Sequence, residues 1–146
     1  MSAFTTFGPG TFTIKIGAGA AVDYSGECTS FTVNHSYSEV GSNRVMLNGD
    51  KRRAKKRREN DSVTIGLEPS LTDAGLYAVL QANDLVEALL EYTPNTENPS
   101  DAKWAGNVEL SLPESVEGAE YGAPITSSLT LNCVTTLTFT PEDTTP

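Results

Sequence analysis

The side chains that could perform catalysis are few in this sequence, and none has a suitable partner close to it. The single histidine, His35, alternates with Val33 and Tyr37 on the apolar face of a predicted strand. It could serve as a general base, but a hydrogen-bonded histidine of the core or of an interface is the preferred interpretation. Cys28 and Cys133 have no neighbouring histidine in the sequence, so neither is a predicted nucleophile.

The spacing of the other polar residues supports neither metal binding nor acid–base catalysis. Two isolated cysteines and one histidine lack the ligand spacing of a zinc site. The cysteines are interpreted as small buried hydrophobes, with a disulfide between them as the alternative. Carboxylates are spread along the chain as on a solvated surface, although a glycosidase-type pair could lie among Glu109, Glu114, Glu117 and Glu120. The glycines are not followed by a phosphate-binding strand–loop–helix unit. We therefore expect no enzyme, no metal and no cofactor.

The strongest chemical feature is a short, densely basic run. Seven of the ten basic side chains occupy it, namely Lys51, Arg52, Arg53, Lys55, Lys56, Arg57 and Arg58. Removing these seven charges from the formal net charge of −9 leaves −16 for the rest of the chain. The protein is thus predicted to be a strongly acidic body that carries one concentrated basic element.

Three interpretations of the basic run are open. It could be a solvated, mobile hairpin tip, or a phosphate-binding patch for nucleic acid. Against nucleic acid stand the acidic body close by and the lack of an aromatic residue in the run for base stacking. The favoured interpretation is self-association, because opposite charges on separate parts of one molecule promote head-to-tail contacts. Such contacts close into rings or continue as filaments.

The length of 146 residues fits a single domain, 1–146, with a true hydrophobic core. No apolar stretch approaches the roughly 20 residues that span a bilayer, and the first residues do not resemble a secretory signal. Residues 1–10 have no periodicity and are predicted to form an extended arm. Residues 141–146 are expected to be a flexible tail.

Period-2 alternation predicts several short strands. They include residues 12–16, 31–38 and 63–67, with a further strand beginning at 45–47. Residues 48–62, which contain the basic run, are predicted to be a long hairpin loop between two strands. Later strands are predicted around 104–112, 125–133 and 137–139.

One helix is predicted over residues 71–82. Thr72 is its expected N-cap, Asp73 complements the helix dipole, and Asn83 begins the stop. Residues 85–92 could prolong this helix, but a strand is favoured because Asn83-Asp84 is a poor helix interior. Seven to nine strands with one helix indicate a mainly β fold, an antiparallel sandwich or barrel with one flanking α-helix, a long hairpin loop and extended terminal arms.

The order of these segments resembles the major tail proteins, or tail-tube proteins, of long-tailed, non-contractile siphovirus-type bacteriophages. The resemblance rests on the arm, the polar hairpin at 48–62, the helix, the strand ending Glu91-Tyr92-Thr93-Pro94 and the later segments 104–108 and 120–124. It spans nearly the whole chain.

The resemblance implies a structural virion protein of the tail. Such proteins assemble in the host bacterial cytoplasm as hexameric rings that stack into a tube with an acidic lumen, through which double-stranded DNA passes. The implied partners are further copies of the chain, the tail tape-measure, tail terminator and baseplate or tail-tip proteins, with no membrane insertion. A phage head decoration or head–tail joining protein is the alternative, and a nucleic-acid-binding module is a further one.

The resemblance also assigns roles to residues. The seven cations of the basic run are expected to make contacts between rings, and Phe4 and Phe7 of the arm to make further ones. Trp104 and Tyr121 are expected core or subunit-interface anchors. Candidate lumen carboxylates are Asp23, Glu27 and Glu109.

Overall fold

A computed structural model describes residues 6–97 and 102–141 of the chain. Within them lie thirteen strands: β1 (Thr11–Ile16), β2 (Val22–Asp23), β3 (Cys28–Asn34), β4 (Tyr37–Val40), β5 (Arg44–Val45), β6 (Lys51–Arg52), β7 (Lys55–Arg58), β8 (Ser62–Leu67), β9 (Glu87–Thr93), β10 (Lys103–Glu109), β11 (Ser115–Glu117), β12 (Thr126–Cys133) and β13 (Thr138–Thr140). One α-helix, α1 (Leu76–Ala82), and one short 3-10 helix, Ser25–Glu27, complete the described elements. The predicted fold class, mainly β and antiparallel with one helix, is confirmed.

Nine of the strands form one antiparallel sheet in the order β2-β1-β9-β10-β12-β8-β3, with β11 beside β12 and β13 beside β10. Alternating side chains place one face of each strand inside: β12 alternates exposed and buried residues along its entire length. The link between β10 and β12 is short, since only Val108 and Glu109 pair across it. The sheet therefore divides there into a β2-β1-β9-β10 layer and a β3-β8-β12 layer.

The two layers pack against each other through buried apolar side chains. The Phe31 ring of β3 lies 5.5 Å from the Phe12 ring of β1, and it stacks on the Tyr92 ring of β9 at 3.8 Å. The central strands supply most of the remaining core, in particular Ile65 and Leu129. Side chains of both layers thus share a single core, as in a sandwich.

The residues 85–92 include a strand, as favoured from the sequence, and the alternating Ala88, Leu90 and Tyr92 are buried. The helix is shorter than predicted. It begins at Leu76, and its N-cap residue is Gly75, which has no side chain that could cap the helix. Thr72 therefore does not have the predicted capping role.

The predicted strand over 31–38 is interrupted. β3 ends at Asn34, the next two residues lie outside strands, and β4 begins at Tyr37. From there the chain leaves the sheet as a separate two-stranded ribbon. The ribbon also contains the strand that was predicted to begin at 45–47. Of these three residues only Val45 lies in a strand, β5, where it pairs with Lys51.

The described part of the amino-terminal arm lies against its own domain. Gly8 donates its N–H to the Pro94 carbonyl at 2.7 Å, and the Asn95 side-chain amide donates to the carbonyl oxygens of Thr6 and Gly8. Thr96 N–H donates to the Pro9 carbonyl at 2.7 Å. Residues 6–9 are therefore held by the loop after β9. The predicted arm residue Phe4 and residues 142–146 of the predicted tail at 141–146 lie outside the described residues.

Candidate functional site

The basic run lies in the returning half of the ribbon. β4 pairs with β7 and β5 pairs with β6, both antiparallel, so the ribbon extends from Tyr37 to Arg58. It is longer than the predicted loop at 48–62, and most of the seven cations lie in strands β6 and β7 where a loop was predicted. Alternating strand geometry consequently presents basic side chains on both faces of the ribbon.

These cations are largely free of carboxylates on the ribbon itself. Arg57 makes an ion pair with Glu59, at 3.1 Å between Nη2 and Oε1, and Ser38 donates a hydrogen bond to the same oxygen. The hydrogen bond from Ser38 and then the guanidinium of Arg57 hold the pKa of Glu59 below its usual value. The Lys56 ammonium lies 6.0 Å from the Tyr37 ring centroid, within cation–π range. No ion pair of Lys51, Arg52, Arg53 or Lys55 exists within residues 6–97 and 102–141 under a 4.0 Å limit.

The far end of the ribbon is apolar. Met46 N–H donates to the Asp50 carbonyl at 2.7 Å, and Gly49, at a φ of +89°, completes a tight turn. The Leu47 side chain has a relative exposure of 106% and that of Val45 67%. We call Val45, Met46 and Leu47 the tip. The sequence analysis missed it as a surface, although three consecutive apolar residues before Asn-Gly-Asp indicated it.

A buried carboxylate holds the base of the ribbon. The Asp61 Oδ2 accepts hydrogen bonds from Arg58 Nη2 at 2.9 Å and from the Leu137 N–H at 2.8 Å. Its Oδ1 lies 3.0 Å from His35 Nδ1. Burial alone raises the pKa of Asp61, but the hydrogen bonds from His35, Leu137 and Arg58 outweigh it, and the pKa is lowered.

The position predicted for His35 was wrong. It lies between β3 and β4, with its side chain half-exposed, and not on the apolar face of a strand. Its contacts confirm that it is a hydrogen-bonded histidine: Nδ1 is 3.0 Å from both Asp61 Oδ1 and Arg58 Nη2. Arg58 therefore differs from the other six cations of the run, because it attaches the ribbon to the body.

A second charged surface covers the outer face of the β2-β1-β9-β10 layer. Cross-strand pairing aligns Asp23 with Thr13, Thr13 with Glu91, and Glu87 with Glu109. Directly paired residues point to the same side of a sheet, so these carboxylates share one face. We call Asp23, Glu87, Glu91 and Glu109 the acidic face. Two like charges placed directly opposite, as at Glu87 and Glu109, are unfavourable for the isolated strand pair.

Glu27, the third candidate lumen carboxylate, has a different environment. Its Oε1 accepts the Ser70 N–H at 2.7 Å, and its Oε2 accepts the N–H of Leu76, the first residue of α1, at 3.2 Å. This carboxylate therefore caps the helix from a distant part of the sequence, and it does not belong to the acidic face.

The remaining predicted site residues lie apart from one another. Trp104 is half-buried against the core, 5.9 Å from the Tyr92 ring and 4.8 Å from the Phe139 ring. Tyr121 is fully exposed in the loop between β11 and β12, so it is not a core residue of the protomer, and its interface role stays a prediction. Phe7 is 59% exposed beside Pro94.

Other chemistry has little basis in the described residues. Both cysteines are free: Cys133 is buried as predicted and Cys28 is half-buried. Across residues 6–97 and 102–141 no three histidine, cysteine or acidic side chains are grouped as metal ligands would be. No helix in those same ranges has the length and apolar character needed to cross a membrane.

Comparison with known proteins gives a likeness in fold. No protein-family model matches the sequence, and no curated protein matches it. A chain in the cryo-EM structure of the anti-feeding prophage cap, described as a tube-terminating cap, superposes with a TM-score of 0.59 at 14% identity, covering 96% of this chain and 94% of that one. A chain in the virion of a native gene transfer agent particle gives a TM-score of 0.48 at 11% identity, covering 89% and 95%. The first of these shows that this chain shares its fold with that chain over nearly its entire length.

Proposed function

We propose that this protein is a structural subunit of a phage-type tail tube, which joins to copies of itself through the basic ribbon. The observation that carries the proposal is the ribbon between Tyr37 and Arg58. It projects from an acidic body and exposes five cations that make no ion pair among the described residues, namely Lys51, Arg52, Arg53, Lys55 and Lys56. An exposed basic element of this size is electrostatically complementary to the acidic surface of another copy. The ribbon contact is therefore heterologous, and heterologous contacts generate rings or filaments.

The fold likeness supports a tube-associated role. The similar chain comes from a cap that terminates a tube, and it matches this chain over nearly its entire length. We propose that this protein assembles in the bacterial cytoplasm as hexameric rings that stack into a tail tube of a virion, with tape-measure, terminator and baseplate or tail-tip proteins as its neighbours. In this proposal it has no enzymatic role.

The acidic face is the proposed lining of the tube. Its four carboxylates, at Asp23, Glu87, Glu91 and Glu109, outnumber the two lysines on the same face of the layer, Lys15 and Lys103. A lumen with this charge repels phosphates, so that double-stranded DNA passes without adhering. The unfavourable Glu87–Glu109 pairing is consistent with a role in function more than in stability.

The proposal is tested by varying the cations that do not hold the fold. The triple substitution of Lys55, Lys56 and Arg57 by Gln leaves Arg58 and its contacts with Asp61 in place, so the subunit should stay folded. We expect wild-type protein to form stacked rings or tubes in electron micrographs at high concentration, and the triple variant to stay folded without stacking into tubes. The control is Lys15→Gln, which removes an exposed cation from β1 and should assemble normally. A wild-type protein that sediments as a monomer at every concentration and salt would refute the proposal.

A second candidate function is nucleic-acid binding by the ribbon. It is favoured by the observed strand form, because a two-stranded β-ribbon fits the DNA major groove, and apolar tips can wedge between base steps. Fluorescence anisotropy with duplex DNA separates the two functions. Salt-sensitive binding by monomeric protein that the triple Gln variant lacks would favour the nucleic-acid function.

A further inference from the structure

The apolar tip has no partner within the described residues of its own chain. Every residue from 41 to 53 is exposed, and Leu47 and Val45 are among the most exposed large apolar side chains. Cations border the tip on both strands, at Arg44 and Lys51. Three apolar side chains at the end of a charged stem form a small, well-defined surface for insertion into an apolar groove.

The body of the same protein contains a matching groove. It is about 460 Å³ in volume and open to solvent, within the size range of ligand pockets. Its wall is mostly aromatic and aliphatic: Phe7, Phe31, Val33, Tyr92, Pro94 and Trp104. Phe31, Tyr92 and Trp104 form a continuous stack, with ring separations of 3.8 and 5.9 Å. The rings of the wall therefore pack on one another and present an apolar surface to the groove.

The tip does not lie in the groove of its own chain, since Leu47 and Val45 are exposed. The ribbon departs just beyond Asn34, beside the groove residue Val33, and it is anchored there by Arg58 and Asp61. The ribbon continues from there to the tip, where Leu47 is fully exposed and is not covered by any surface of the described body.

We infer that the tip inserts into this groove on a second copy of the chain. The inference rests on the proposed function and names the acceptor surface for the ribbon. Charge favours the same arrangement, since the cations of the stem approach a body whose formal charge, without the run, is −16. Glu97 is an exposed carboxylate three positions beyond the groove residue Pro94. It follows Asn95, whose amide holds the groove residue Thr6.

Substitutions at both surfaces test the inference. Leu47→Asp should raise the concentration needed for assembly at least about tenfold, because full burial of a leucine increases the association constant by a factor of about ten or more. Phe7→Asp should have the same effect from the groove side, since Phe7 is exposed and its loss does not disturb the core. The matched control is Leu71→Asp, which alters a leucine of 60% exposure outside both surfaces. Equal assembly of Leu47→Asp and the control would overturn the inference.

Cross-linking identifies the acceptor directly. A photoreactive residue at position 47, in a mixture of ¹⁴N- and ¹⁵N-labelled protein, should give mixed-isotope peptides that join the tip to the groove strands β3, β9 or β10. Cross-links that join only peptides of the same isotope would show contacts within one chain, and they would overturn the inference. Cross-links to another surface of a second copy would also overturn it. If rings form and the cross-links lie elsewhere, the tube proposal stands and this inference fails. If no assembly forms and no mixed-isotope product appears, both fail.

Discussion

Removing the Asp61 carboxylate should lower stability by an amount that the geometry predicts. In Asp61→Ala the Leu137 N–H loses its acceptor, and an unsatisfied buried donor costs about 1–3 kcal/mol. Arg58 and His35 also lose their partner, but both are half-exposed and can bind water instead, so each adds at most about 1 kcal/mol. The expected loss is therefore about 3 kcal/mol. Asp61→Asn keeps one acceptor oxygen for Leu137, and its loss should be about half as large.

Urea unfolding followed by Trp104 fluorescence measures this difference. With a slope near 2 kcal/mol per M, Asp61→Ala should lower the midpoint by about 1.5 M. Because the pKa of Asp61 is lower in the folded protein than in the unfolded chain, its ionisation stabilises the fold above about pH 4. That contribution is lost as the pH falls through the folded pKa. The wild type should therefore approach Asp61→Asn in stability at acidic pH. A midpoint for Asp61→Ala within 0.3 M (about 0.6 kcal/mol) of wild type at pH 7 would refute the reasoning.

Three further predictions concern other parts of the molecule. Glu27→Ala should lower the free energy of unfolding by about 1–2 kcal/mol, because the Ser70 and Leu76 N–H groups lose their acceptor. Glu27→Gln should lower it less, as measured by thermal unfolding. Equal losses for the two variants would contradict the capping role. Burial of the thiol, and to a smaller extent the nearby Asp61 charge, raises the pKa of Cys133 to about 11. About one Cys133 thiol in a thousand is therefore ionised at pH 8. Cys133 in native protein should react with a disulfide reagent far more slowly than in protein unfolded by urea. Trypsin should cut isolated subunits first within residues 44–58, since a two-stranded ribbon by itself is only marginally stable, and assembly should suppress those cuts.

The strands could be predicted well wherever one face is buried. In β12 the alternation that placed Leu129, Leu131 and Cys133 on one face corresponds to the buried face of the structure. The same rule identified Ala88, Leu90 and Tyr92. It failed at 31–38, where alternating polar and apolar residues continue through the break after β3. Alternation of polar and apolar residues indicates which residues could form a strand. It does not indicate which neighbouring strand, if any, pairs with them.

The candidate site was predicted only in part. The basic run and a hairpin were evident in the sequence, but the exposed tip and the attachment of Arg58 to Asp61 were not. Asp61 and Leu137 are separated by 76 positions, and Glu27 and Leu76 by 49. Contacts over such distances depend on how the layers pack. For that reason no local pattern in the sequence predicted that the Glu27 carboxylate caps the helix.

The sequence by itself determined the division of charge, an acidic body with one basic run, and the local preference of most segments for extended structure. These properties depend on composition and on neighbouring residues. Tertiary structure alone decided that five cations of the run make no ion pair among the described residues while Arg58 anchors the ribbon, and that Asp23 and Glu109 share a face. The physical reason is that burial and cross-strand register join residues far apart in the chain, and no local pattern records those pairings.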